Sequence, residues 1–212
     1  MKFDPSQMDM PGVYKLLSGL VVPRPIGFAS TLSAEGVFNL APFSFFIAIT
    51  PSPPHVAISV GTRSGQTKDT LSNIRHTGEF VINTVSAEIV EQMNQTSGDW
   101  PPESSEFGVS GLTPVPSDIV RPPRVAEAPA NMECVARQVI PVGGPPYGAH
   151  LVISEVVRFH VLDELVQERG NIDLRALQAV GRLAGTWYCS TDNQFELDRP
   201  VVEDQQSLGG QR

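Results

Sequence analysis

The chain has 212 residues and a formal net charge of −8 at pH 7, a length at which one domain buries a substantial core and an all-β barrel needs no subdivision. Hydrophobic residues make up 41% and charged residues 18%, the balance of a soluble globular domain and not of a disordered chain. The acidic balance, with no Lys/Arg run, argues against nucleic acid as a partner. No stretch is long and apolar enough for a secretion signal or a bilayer helix, so the expected setting is cytoplasmic.

Helical spacing runs from Pro11 to Leu17 after Asp9 as a cap, and Gly19 and the prolines beyond it end the helix. From Ile26 onward, short runs rich in β-branched and aromatic residues alternate with Gly, Pro, Asn and Ser. They predict strands over Ile26–Leu32, Ser44–Ile49, His55–Val60, Phe80–Val85, Cys134–Val142 and Leu151–Leu162. Ser33 to Gly36 supplies a turn, and the imperfect alternation of the last run suits a barrel strand with a bulge. Short helices are expected at Lys68–Arg75, Ala87–Gln95 and Asp173–Val180. Between Gly98 and Pro129 the chain shows little periodicity, and so long a loop usually covers a site or an interface. A mobile tail is expected from about Pro200, leaving one domain over residues 1–199. Cys134 and Cys189 lie far apart without Cys-x-x-Cys spacing, which suggests two buried thiols and no metal site or redox pair.

Three stretches carry chemistry. In Pro23-Arg24-Pro25-Ile26 the two prolines hold Arg24 extended, and Ser30 and Thr31 follow with hydroxyls near a strand end. Locally this reads equally as a strand entrance with a surface arginine. In Asn39-Leu40-Ala41-Pro42-Phe43-Ser44 small residues beside aromatics let a planar ring approach the backbone, or make a tight turn into a core strand. Ser59-Val60-Gly61 and then Lys68-Asp69-Thr70, opening a helix, combine free N–H groups, an ammonium and a hydroxyl as a phosphate site. An ordinary helix start uses the same residues.

Their order and proximity resemble the flavin reductase-like family with the FMN-binding split-barrel fold. The likeness runs through Val22 to Ile26, Ser30-Thr31, Asn39 to Ser44, Lys68 to Thr70, Asn73-Ile74 and Thr77 to Asn83. Weaker features are Glu155 to Val157 and Gly181 to Gly185 with Tyr188, where Ala184 stands in place of an expected glycine.

The resemblance implies a mainly β, Greek-key-like split β-barrel with a few short peripheral helices, working as a homodimer with flavin near the subunit interface. Carried over by position, Ser30 and Thr31 would meet the ribityl and phosphate region, with Arg24 and Pro25 also among the cofactor-binding residues. Asn39, Leu40, Ala41, Pro42 and Ser44 would line the isoalloxazine. Ser59, Val60, Gly61, Lys68, Asp69 and Thr70 would hold the phosphate end, with Arg182 also at the cofactor.

The implied cofactor is FMN, with FAD as the alternative, and NADH or NADPH is the co-substrate. No Gly-x-Gly-x-x-Gly follows a strand, so a nicotinamide would dock transiently over the flavin. Reduced flavin would go to a monooxygenase or to an electron-transfer protein. The other reading is an FMN-retaining carrier of the flavoredoxin type or a non-catalytic flavin binder. Hydride transfer needs no obligatory protein acid or base, and His55, His76, His150 and His160 are given no catalytic role.

Overall fold

The computed structural model describes residues 1–62 and 65–200; the expected tail beyond Pro200 lies outside them. Seven strands share one antiparallel sheet: β1 Gly27–Leu32, β2 Phe38–Phe43, β3 Phe46–Pro51, β4 Pro54–Gly61, β5 Glu79–Asn83, β8 Ala130–Val142 and β9 Ala149–Val161. Their order is β2-β1-β5-β8-β9-β4-β3, so strands distant in sequence are neighbours and the sheet curls. Two-residue strands β6 Pro114–Val115 and β7 Arg124–Val125 pair separately, as do β10 Val180–Arg182 and β11 Tyr188–Ser190. The helices are α1 Met10–Leu20, α2 Asp69–Thr77, α3 Val90–Gln95, α4 Glu106–Ser110 and α5 Leu174–Leu177. None of the described helices is long and apolar enough to cross a membrane.

Period-two alternation builds a core on each face of the sheet. On β1, Phe28 enters a cluster with Leu40, Met93, Phe107 and Val125. Its neighbour Ala29 joins Ile58, Val60, Phe80 and Ile82 on the other face. The first cluster is roofed by α3 and α4, the second by Leu71 and Ile74 of α2. Gly78 at φ +72° closes α2 in the left-handed conformation, which costs glycine least.

Several elements differ from their expected form. The segment 38–43, expected as a turn into a strand, is itself a strand, paired with β1 from Leu32 opposite Phe38 to Gly27 opposite Phe43. Ser33 makes its hairpin turn, its Oγ accepting from Val37 N at 3.1 Å, with Gly36 at φ +84°. The bulge expected in the last long strand falls at Val157, because Glu133 pairs with Arg158 while Cys134 pairs with Val156. The helix expected over Asp173–Val180 stops at Leu177, since Gln178 turns to φ +45° and Val180 enters β10.

The segment from Gly98 to Pro129 is tied down along its length. Ser30 Oγ donates to Pro123 O, Val125 N donates to Asn83 Oδ1 at 2.9 Å, and α4 sits against β2. Its elements are too short for a periodic signal and exist through these tertiary bonds.

Candidate flavin site

The sheet brings two of the three sequence stretches to one cleft of about 380 Å³, within the range of about 300–1,000 Å³ that accepts a cofactor-sized ligand. Pro42, Phe43, Ser44 and Phe45, where β2 leaves for β3, form one side. Ser59 and Gly61 at the end of β4 and Lys68 at the start of α2 form another. Met10 and Tyr14 of α1 form a third, and Tyr147 and Ala149 of the β8–β9 turn close the end. Phe45 O accepts from Ser59 N at 2.8 Å, which fixes the first two sides together. Open space faces the missing side chain at Gly61, so a ligand approaches the main chain there unhindered.

Lys68 is the N-cap of α2, which sets its ammonium beside the positive end of the helix, the pairing of charges that suits an anion. The Lys68 Nζ lies 5.5 Å from the centre of the Phe43 ring, a cation–π contact that holds the ammonium beside the cleft.

A second, smaller compartment of about 200 Å³ shares Tyr14, Pro42 and Ser44 with the first and adds Met93, Asn94, Ser97, Arg182 and Tyr188. The Arg182 guanidinium stacks 4.4 Å from the Tyr188 ring centre and donates to Gly185 O. Tyr188 donates from its hydroxyl to Asn94 Oδ1 at 3.0 Å. This compartment is predominantly polar, unlike a core void.

The residues carried over by position thus divide. Pro42, Ser44, Ser59, Gly61, Lys68 and Arg182 line the two compartments. Leu40 and Val60 are fully buried in the cores and Ala41 packs against one of them, so these side chains face away from the cleft. Ser30 and Thr31, expected near ribityl and phosphate, are also fully buried. Thr31, Asn39, Thr70 and Asn73 form one hydrogen-bonded set. Asn73 Nδ2 donates to Thr31 Oγ1 at 3.0 Å. Thr31 and Thr70 hydroxyls both donate to Asn39 Oδ1, at 3.2 and 2.9 Å. Thr70 is 2% exposed with its proton committed to Asn39, so it braces the helix start from behind, and Asp69 beside it is likewise not among the lining residues. Pro25 and Arg24 lie outside both compartments and line a separate cavity beside them; Arg24 is buried, not the surface arginine of the local reading.

Sequence reasoning missed Met10, Tyr14, Asn94, Ser97 and Tyr147, which reach the cleft from remote elements. It also missed Glu106, whose Oε1 accepts from Asn39 Nδ2 at 2.8 Å and whose Oε2 accepts from Leu40 N at 2.9 Å. Burial raises the Glu106 carboxyl above its ordinary pKa, an effect only partly countered by the bonds to Leu40 and Asn39, with nearby Asp69 adding to the rise.

Two other features are set apart from this chemistry. A larger cavity, about 530 Å³, lies among Pro23, Arg24, Pro25, Leu177, Val180 and Cys189 and shares no lining residue with the cleft; its lining is mostly apolar and its guanidinium, that of Arg24, is taken up by main-chain carbonyls, so the smaller cleft with Lys68 at a helix start is the better flavin candidate. Asp118, Glu133 and His160 bring ligand atoms within 4.8 Å of one another, but the Glu133 oxygens already accept from three backbone N–H groups and from His160. That arrangement is a hydrogen-bonded clamp.

The curled antiparallel sheet with its short peripheral helices is a split barrel of the flavin reductase type. Residues 18–176 match the Flavin reductase like domain, and the chain belongs to that family. It is similar to nitrilotriacetate monooxygenase component B from Bacillus cereus, with TM-score 0.89 and 38% identity over 93% of this chain and 98% of the other. The 2-nitrobenzoate 2-nitroreductase NbaA of Pseudomonas fluorescens aligns with TM-score 0.86 and 30% identity, covering 97% and 100%. A relative from Halalkalibacterium halodurans is 44% identical over 95% of this chain and 98% of its own.

Proposed function

We propose that this protein is an FMN-binding NAD(P)H:flavin oxidoreductase that works as a cytoplasmic homodimer and supplies reduced flavin to a monooxygenase. The observation that carries the reading is the meeting of Lys68, the α2 start and the Pro42–Ser44 main chain around one 380 Å³ cleft. Similarity to a monooxygenase component B supports the flavin-supply role. FAD as the exchanged flavin fits the same cleft chemistry.

When bound, the flavin supplies the hydride-accepting ring, and the protein supplies orientation and hydrogen bonds. Lys68 and the first-turn N–H groups of α2 offset phosphate charge. The main chain around Pro42–Ser44 presents hydrogen-bonding groups to a heterocycle edge, and Tyr14 bounds both compartments. The polar compartment with Asn94, Ser97 and Arg182 is where the nicotinamide donor docks. No protein acid or base is required by this scheme.

Support for a homodimer comes from β3, an edge strand whose Ile47 and Ile49 are 61% and 48% exposed, because an apolar edge of this kind invites pairing. Light scattering of the purified protein checks it.

The deciding experiment is an absorbance spectrum before and after anaerobic addition of NADH or NADPH. A flavin spectrum that bleaches is expected. Protein that neither carries nor binds FMN removes the reading, and FMN reduced only by a partner protein replaces it with an electron carrier. Lys68→Ala should weaken FMN by about 1.5–3 kcal/mol, the worth of a charge-assisted hydrogen bond, and leave riboflavin nearly unchanged in a fluorescence titration.

A second reading, reduction of a nitroaryl carboxylate, is favoured by Arg182, the charged side chain lining the smaller compartment, and by the likeness to the nitroreductase. Nicotinamide oxidation dependent on added 2-nitrobenzoate tests it.

A further inference from the structure

We propose that Arg24 is a positioning residue that holds three walls of the cleft in register without touching the ligand. The inference rests on reading the cleft as the flavin site and gives the arginine of the Pro-Arg-Pro stretch a different task from contact with the cofactor.

Arg24 is 4% exposed and lines neither compartment, only the separate cavity beside Pro23, Val180 and Cys189. Its Nη1 donates to Ser18 O at 2.5 Å and Val21 O at 2.8 Å, two carbonyls at the C-terminal end of α1. Its Nη2 donates to Leu183 O at 2.9 Å, its Nε reaches Ser44 Oγ at 3.4 Å, and the guanidinium lies 5.7 Å from the Phe45 ring centre. The Arg24 main chain exchanges bonds with Arg182, N to O at 3.0 Å and O to N at 2.8 Å.

Each of these partners belongs to a segment that lines the cleft. Helix α1 carries Met10 and Tyr14, the chain through Leu183 carries Arg182 and Tyr188, and Ser44 and Phe45 belong to the cleft side itself. Ser18 is the buried residue of α1, so core packing holds that helix weakly and the bonds from the guanidinium to Ser18 O and Val21 O anchor it to the barrel. The chemistry suits the residue. The last carbonyls of a helix lack partners within it and favour a cation, and only a planar fork of five donors reaches three carbonyls and a hydroxyl at once. A lysine ammonium at the same place serves fewer of them.

The test compares wild type, Arg24→Lys and Arg24→Ala by hydrogen exchange of the flavin-free proteins and by titration with FMN, FAD and riboflavin. Faster exchange is expected at residues 17–21 and 183–188, with β5 and β8 as slow as in wild type. Affinity should fall by roughly tenfold to a hundredfold, as for a misplaced but intact site, and by the same factor for FMN and riboflavin. Added guanidinium ion at millimolar concentration should restore part of the Arg24→Ala affinity, which general destabilisation would not allow. If Arg24→Ala does not fold, Arg24→Lys carries the same comparisons.

Loss of FMN with riboflavin spared would place Arg24 at the phosphate and overturn the proposal, as would wild-type affinity in both variants or faster exchange over the whole barrel. Failure of wild type to bind any flavin removes the functional reading, while the exchange pattern still decides whether Arg24 holds α1 and the 183–188 segment.

Discussion

Two buried carboxylates tie the long 98–129 segment to the barrel, and they are tuned in opposite directions. Glu106 projects from the segment and accepts two bonds, from Asn39 Nδ2 and Leu40 N, and its carboxyl is raised by burial. Glu133 projects from the barrel and accepts four, from the N–H groups of Asp118, Ile119 and Val120 and from His160 Nε2 at 2.6 Å. Burial pushes Glu133 upward too, but these donors together outweigh it and hold the carboxyl below its ordinary pKa. The number of donors aimed at a carboxylate, and not burial alone, decides which form it favours. The Glu133 end has twice the donors of the Glu106 end and is the firmer tie. The end near the cleft holds its carboxylate less firmly.

Replacing Glu133 breaks the firmer end. Glu133→Gln puts an amide N–H₂ against donors that need an acceptor, and we expect a loss of about 3 kcal/mol from the charge-assisted bonds, read by chemical denaturation. Flavin affinity of the folded fraction should not change. Because the folded pKa is lowered, the stabilisation from Glu133 is complete above the unfolded value of about 4.3 and is lost as pH falls through the lower folded value. The variant should therefore lack that part of the acid limb.

Glu106→Gln sharpens the contrast, with a smaller expected loss of about 1–2 kcal/mol, since one of two donors is left facing an amide N–H₂. Here the signature is functional. Asn39 loses its fixed orientation, Thr31 and Thr70 lose their common acceptor, and FMN affinity should fall in a fluorescence titration. The sign of the pH effect is reversed: a raised folded pKa contributes stability that is full below about 4.3 and is lost as pH rises through the folded value. Equal pH profiles for the two variants would erase the distinction drawn between the ends.

The smallest effect is expected at a third tie. Arg121 Nε donates to Glu79 Oε2 at 2.9 Å, but the two side chains are 58% and 25% exposed. Solvent screens such a pair, so Arg121→Ala should cost at most about 0.5 kcal/mol by denaturation. A loss rivalling that of Glu133→Gln would show that exposure is a poor guide to the strength of these tethers.

Local patterning made most of the barrel legible. Strands such as β4 and β9 announce themselves by β-branched runs between turn residues, and α2 by Leu71 and Ile74 on one face with Gly78 behind them. Strand β2 was obscured because Asn39, Ala41 and Pro42 are poor strand formers; pairing with β1 along its whole length decides its state. Helix α4 and the β6–β7 ladder carry no readable period at five and two residues, and their contacts with the barrel determine them.

The cleft divides the same way. By itself the sequence determined the family resemblance and the place of Lys68 at the start of α2, because a lysine before a helix and open glycine backbone are local chemistry. Only the tertiary structure decided which hydroxyls line the cleft and which brace the wall, placing Ser59 in the cleft and Thr31 and Thr70 behind it. It also brought Tyr14, Asn94 and Tyr147 to the cleft and turned Arg24 away from it. The direction of a side chain depends on which strands and helices pack around it, and those neighbours lie far away in the chain.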